Sequence, residues 1–234
     1  MADTSFIRRT INKKNKWVPL TVEPVKSEHL EFWKTFIQPF ITVLGPTKRV
    51  DHDWNWDTIT FGARYAPETR QKPAAYALVY RHPTLNMKIV CGLINLARNY
   101  HFLPDIGRQN PTRQACFLWN CATPPLIALQ PYFMPEDIPK RLSQLCIDVA
   151  VTVSEQDGHH GRICLHADPG AMPPQMAEDI LLNFYESPPL VMSRLDPSIV
   201  IPGLRGIFAK NDGRYFYFDE GDAYKFSLEF TDYR

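Results

Sequence analysis

The stretch from Arg113 to Glu186 constrains the fold most, because apolar segments of strand and helix length alternate there with proline and glycine stops between them. Ala115 to Thr123 (ACFLWNCAT) predicts a strand, and Pro124-Pro125 stops it, since proline has no N–H to extend a ladder. Leu142, Leu145, Val149 and Val153, with Cys146 and Ala150 beside them, form one apolar stripe at helical spacing. They predict a long helix beginning at Glu136 and closed by Gly158. Arg162 to Ala167 (RICLHA) reads as a short buried strand. Pro173 and Pro174 stand near the start of a further helix running to about Tyr185, with Met176, Ile180 and Phe184 facing inward.

The flanking regions fit the same pattern. Trp17 to Val25 predicts a strand ending at Pro24, and Ser27 is placed to cap an amphipathic helix whose inner face carries Leu30, Trp33, Phe36 and Ile37. Pro39 kinks or ends that helix, and Gly45-Pro46 stops any continuation of it. Ala74 to Tyr80 and Lys88 to Ala97 predict a hairpin, as do Gly203 to Lys210 and Arg214 to Phe218 around the turn Asn211-Asp212-Gly213. Strands and helices in this order predict an α/β (α+β) protein with a mixed sheet covered by helices. No linker longer than a loop interrupts residues 1–234, so a single domain is expected. Residues 1–16 read as a basic arm, with Arg8, Arg9, Lys13, Lys14 and Lys16 against Asp3 alone. A solvated face and a phosphate-contacting arm both fit that excess.

Composition narrows the function classes. A net charge of +1 over 234 residues lacks the strongly basic balance of an obligate nucleic-acid binder. The five cysteines are odd in number, form no CxxC pair and sit mostly in apolar runs, so they read as buried free thiols with no zinc site. The opening MADTSFIRRT has no apolar leader core, and no window approaches the ~18 apolar residues of a membrane span. The expected setting is reducing and cytoplasmic. No nucleophile elbow, Walker loop or HExxH motif occurs, which removes the corresponding hydrolase, nucleotidase and metalloprotease readings.

The order of elements, with three local features, resembles the GNAT acyltransferases. CFLWNCATPP (Cys116 to Pro125) is similar to the family's fourth strand, which splays from its neighbour and offers backbone groups to the pantetheine arm of acetyl-CoA. The resemblance assigns that role to Asn120, Cys121, Ala122 and Thr123, where an open strand edge matches a chain of amides. The second feature is the helix from Glu136 and the subsequent HHGRICLHADP. In the family this helix turns its N-terminus, with its free amides and dipole, toward the cofactor pyrophosphate. The family loop Q/R-x-x-G-x-G/A has no glycine counterpart in Pro135 to Ser143, so Lys140, Arg141, Leu142 and Ser143 are the implied contacts, with Glu136 and Asp137 required to turn away. The third feature is Asn183-Phe184-Tyr185-Glu186, where Tyr185 matches the tyrosine that protonates the departing thiolate. The resemblance thus implies a GNAT-like, mostly antiparallel central sheet flanked by helices, and transfer of an acetyl group from acetyl-CoA directly to an amine.

The acceptor side is less defined. Asp51 to Asp57 supplies three carboxylates, one imidazole and two indoles in one short polar segment. Asp53 is the candidate base there, and Trp54 and Trp56 are candidate faces for a cationic amine. A surface loop anchored by its indoles fits the same residues. His159 and His160 should point in opposite directions at a strand entrance, exposed to solvent, and His166 lies within the strand. A small amine, a protein N-terminus or lysine, and an aminoacyl-tRNA all remain open as acceptors, as does a homodimer. A non-catalytic GNAT-fold binding protein is the alternative function.

Overall fold

The computed structural model describes residues 5–40, 74–103, 113–167, 174–198 and 213–231. Within these residues the framework is an eight-stranded sheet. Its strands are β1 (Phe6–Ile11), β2 (Trp17–Pro24), β3 (Ala74–Arg81), β4 (Lys88–Leu103), β5 (Arg113–Ala122), β6 (Ile163–His166), β7 (Ser193–Arg194) and β8 (Tyr215–Phe218). They lie in chain order except that β8 inserts between β6 and β7. Every neighbouring pair is antiparallel apart from β5 and β6. A parallel pair needs a crossover, and α3 (Leu142–Gln156) supplies it. The result is the expected mixed, mostly antiparallel sheet with helices against it.

α3 is the centre of the molecule. Leu145 through Ser154 are all buried, including Asp148, Thr152 and Ser154. The sequence stripe predicts one inward face. The opposite face is covered as well, because β1 and the C-terminal helix α5 (Glu220–Ser227) close over it. The polar residues on that face are therefore paired inside the protein. Arg8 of β1 reaches Asp148 at 2.9 Å, and the Ser227 hydroxyl donates to the same carboxylate at 2.7 Å. The Ser154 hydroxyl donates to the Arg162 carbonyl at 2.6 Å.

Several boundaries differ from the sequence expectation for local reasons. α3 begins at Leu142, not Glu136, because Pro139 disfavours helical geometry at Ile138 before it. Residues 6–11, expected within a basic arm, form edge strand β1, whose outer edge is occupied: the Lys140 N–H donates to the Ile11 carbonyl at 2.8 Å and the Arg9 N–H to Phe230 at 3.3 Å. Helix α1 (Ser27–Phe32) is capped by Lys26, with Ser27 already helical, and the Lys26 N–H donates to His29 Nδ1 at 3.1 Å. It widens into a π turn at Trp33–Ile37 ahead of Pro39, and helical backbone resumes through Phe40. The extra residue in that turn rotates Phe36 out of the inner stripe, leaving it exposed while Trp33 and Ile37 stay buried.

Helix α2 (Leu126–Leu129) is a single turn after the two prolines. On α4 (Pro174–Glu186), Ile180 is solvent-facing, while Phe184 makes the expected inward contact, joined by Leu182 and Tyr185; the Met176 side chain lies outside the described residues. His159 is buried rather than exposed, and His160 is exposed at a left-handed φ of 54°. Among the described residues no helix is long and apolar enough to cross a membrane. The expected strand Gly203 to Lys210 and most of its turn lie outside the described residues.

Candidate acyl-transfer cleft

The site begins with the way β5 parts from β6. Their ladder runs through Cys116↔Ile163, Phe117↔Cys164 and Leu118↔Leu165, whereas β5 stays paired with β4 as far as Leu93↔Ala122. Beyond Leu165, β6 stays with β8, and the Ala167 N–H donates to the Arg214 carbonyl at 2.9 Å. The last four residues of β5, from Trp119 to Ala122, therefore extend past its ladder with β6. The expected backbone groups of Asn120, Cys121 and Ala122 lie along this segment, with Thr123 next in the chain.

α3 starts at the mouth of that opening. The Thr123 and Ser143 hydroxyls are 3.3 Å apart, one donating to the other, and join the end of β5 to the first turn of the helix. Thr123, Lys140, Arg141, Leu142 and Ser143 line one cleft of about 330 Å³, together with Pro124, Leu126, Pro139, Gln144 and Phe184. The first intrahelical bond runs from the Leu145 N–H to the Arg141 carbonyl at 2.9 Å, and no side chain caps the helix. The amides of Leu142, Ser143 and Gln144 precede that bond, at the positive end of the dipole. Glu136 and Asp137 turn away from the cleft: Lys14 Nζ holds Glu136 at 2.9 Å, and Asn12 Nδ2 donates to Asp137 at 3.1 Å.

The loop makes its turn without glycine. Arg141 adopts the left-handed conformation at φ 59°, which ordinarily favours glycine. Its side chain is held at three points, with Nε donating to Gln144 at 2.6 Å, Nη1 to Glu229 at 3.1 Å, and the guanidinium 4.9 Å over the Phe230 ring, while Nη2 has no partner among the described residues. Lys140 differs, since β1 pins its backbone while its side chain is exposed at the cleft.

No protein-family profile matches the chain, and no curated protein sequence does. Two solved structures are similar in shape. One is a tyrosine-to-phenylalanine mutant of the AtaT toxin bound to the C-terminus of the antitoxin AtaR and acetyl-CoA; it is 16% identical, with a TM-score of 0.39, over 74% of this chain and 82% of that one. The other is a tyrosine-to-phenylalanine mutant of KacT, 13% identical, with a TM-score of 0.40, over 88% of this chain and 98% of that one.

Tyr185 lies in the last turn of α4 and is not one of the described residues that line the cleft, although its neighbour Phe184 is. Its ring stacks on Phe216 at 4.9 Å and 25° and meets Phe184 edge-on at 4.9 Å. Burial, and then the neighbouring Cys121 sulfur, hold its phenol well above the ordinary value, so it stays protonated across the physiological range. The structure thus brings Tyr185 to the Cys121 end of β5. Asp53, Trp54 and Trp56 lie outside the described residues, as does the side chain of Asn120. His166 packs its ring 4.6 Å from Tyr215.

Gln144 and Phe184 are cleft residues that sequence reasoning misses. Gln144 is one step beyond the expected loop contacts, a signal available in sequence. Phe184 reads as a core aromatic because half of it is core.

A second polar cluster has the spacing of a metal site. His29 Nε2 lies 3.5 Å from Glu23 and 3.6 Å from Glu28. Lys88 Nζ sits between the same carboxylates at 2.8 and 2.9 Å, and Arg81 adds a bond to Glu23 at 2.7 Å. Because His29 Nδ1 accepts from Lys26, its proton is on Nε2, facing the carboxylates. An ammonium already provides the positive charge here, and the tautomer is wrong for a metal at Nε2.

Proposed function

We propose that the chain is an acetyl-CoA-dependent N-acetyltransferase that moves the acetyl group directly to an amine. The observation that carries this reading is the meeting of the free end of β5 with the uncapped start of α3 in one cleft. A strand edge suits the amides of a pantetheine arm, and a helix start suits a pyrophosphate. When bound, the cofactor supplies an activated thioester. The backbone of Asn120 to Thr123 orients it, and the amides of Leu142, Ser143 and Gln144 hold its phosphates. Lys140 adds the mobile positive charge, while Arg141 serves by its backbone turn.

Tyr185 donates toward the departing sulfur as negative charge develops there. The uncharged phenol suits that task, since it brings a donor without repelling or neutralising the incoming cofactor. Asp53 as base and Trp54 and Trp56 as the amine-binding faces complete the proposal.

A second reading has its own support. Among the described residues the cleft lining includes neither a carboxylate nor an imidazole, and the family's loop glycines are absent from the sequence. Both fit a binding protein of the same fold that performs no chemistry. Isothermal titration with acetyl-CoA separates the two at the first step. Saturable binding in the micromolar range is expected, and no heat at high micromolar cofactor removes the enzyme reading. Acetyl transfer to a panel of amines then decides between catalysis and binding alone.

A further inference from the structure

β1 does more than close one edge of the sheet. Together with its turn into β2, it holds the loop before α3 along most of its length. The Lys13 N–H donates to the Glu136 carbonyl at 3.1 Å, and Asn12 Nδ2 donates to the Asp137 carboxylate at 3.1 Å. The Lys140 N–H donates to the Ile11 carbonyl at 2.8 Å, and the Thr10 hydroxyl donates to the Lys140 carbonyl. Both backbone groups of Lys140 are thus taken by β1, one step before the left-handed turn at Arg141.

Thr10 is 2% exposed, on a strand where Ile7 is 63% exposed. Alternation puts Thr10 on the same face as Arg8, which reaches Asp148 at 2.9 Å and Thr152 at 3.1 Å on α3. One face of β1 therefore meets both the helix and the loop that leads into it. A peptide unit is planar and trans, so its carbonyl and its N–H point in opposite directions. By holding the Lys140 carbonyl, Thr10 turns the Arg141 N–H away from β1. The left-handed Arg141 and the helical residues after it then present successive N–H groups, an arrangement that forms an anion-binding concavity. A left-handed residue other than glycine persists only where its surroundings over-determine it. Gln144 and Glu229 hold the Arg141 side chain, and Thr10 holds the peptide that enters the turn.

We propose that Thr10 is a positioning residue for the cleft, fixing the Lys140–Arg141 peptide so that the amides at the start of α3 are set for phosphate before it arrives. Thr10 is not among the described residues that line the cleft, so it acts through the loop. The effect on cofactor affinity rests on the acetyl-CoA reading above; the hold on the loop does not.

The test uses the full chain and Thr10→Val, which keeps the branched side chain of the strand and removes the hydroxyl. Thr152→Val is the comparison, because it removes the other hydroxyl that β1 engages, farther along α3. In the protein alone, amide exchange followed by NMR should be about tenfold faster at the Lys140 N–H in Thr10→Val and unchanged there in Thr152→Val. No acceleration in Thr10→Val, or equal acceleration in both variants, overturns the hold on the loop. Acetyl-CoA affinity should fall about tenfold in Thr10→Val, the scale of one lost hydrogen bond. It should stay close to the parent's in Thr10→Ser, which restores a hydroxyl, and in Thr152→Val. An unchanged affinity in Thr10→Val, a loss shared by Thr10→Ser, or an equal loss in Thr152→Val overturns the positioning role. Thr10→Ala repeats both measurements with the hydroxyl absent, so the outcome does not hang on the folding of one variant. Failure of the parent to bind acetyl-CoA removes the cofactor reading alone, and exchange at Lys140 still decides whether Thr10 fixes the turn.

Discussion

Tyr185 shows how much a residue's surroundings add to its identity. The triplet Phe184-Tyr185-Glu186 carries little information, but the fold sets the phenol on Phe216 and beside the Cys121 sulfur at the end of β5. Tyr185→Phe keeps the stacking and removes the donor. Turnover should fall about a hundredfold, the lower range for losing a general acid, with acetyl-CoA affinity changed less than threefold. Steady-state rates beside a titration check both, and equal turnover removes the assignment. Asp148 is the complementary case, a titratable group with no sequence signal. Burial raises its carboxyl to about 6, opposed by Arg8. The folded state therefore holds the proton more tightly than the unfolded chain, and this contribution to stability is present below about pH 4 and lost as pH rises through about 6. Asp148→Asn cannot titrate. The stability of the parent relative to this variant, from urea midpoints, should drop by up to about 3 kcal/mol between about pH 4 and 7. A difference that stays flat or rises contradicts the assignment.

At the scale of elements, strands and helices are legible where the pattern is local and less so where a distant segment decides. The β3–β4 hairpin, β5 and β6 come directly from alternation and apolar runs. α3 is legible with its start displaced, at Glu136 instead of Leu142, because the apolar stripe outweighs Pro139. β1 reads as solvated charge, since Arg8 looks exposed until Asp148 is known to face it. α5 has no counterpart in the sequence reading, although Asp219 caps it by accepting the Asp222 N–H at 3.0 Å. The loop before α3 is the instructive case. Lacking the family's glycines, it reads as a loop that meets phosphate through Lys140, Arg141, Leu142 and Ser143, and Arg141 takes the left-handed turn itself. Arg141→Gly relieves about 1–2 kcal/mol of that conformation and gives up an ion pair and a cation–π contact of similar combined size. Stability should therefore change by less than about 1 kcal/mol, and acetyl-CoA affinity by less than threefold, since Gln144 and Glu229 already hold the guanidinium. Lys140→Ala should weaken binding three- to tenfold. Titrations that rank the two variants the other way would make Arg141 the phosphate ligand.

At the scale of the molecule, the two ends of the described chain meet over α3. β1 donates from Arg9 to the Phe230 carbonyl, accepts at Ile11 from Lys140, and sends Arg8 to the carboxylate that Ser227 also holds. One strand thus anchors the C-terminal region, the loop at the cleft and the buried face of the central helix. Arg8→Met leaves the enclosed Asp148 carboxyl with only the Ser227 hydroxyl beside it, drives it to take up a proton, and should cost about 3–5 kcal/mol at neutral pH. In a chain of this size that is a fall in Tm of roughly 10 °C. Arg8→Met with Asp148→Leu removes the charge together with its partner. That double variant should recover most of the loss, because an enclosed ion pair and a well-packed apolar pair are close in stability. Differential scanning calorimetry on the parent, the two single variants and the double closes the cycle. Strict additivity of the two single losses would show that Arg8 and Asp148 do not act as a pair, and that β1 is held by its backbone bonds alone.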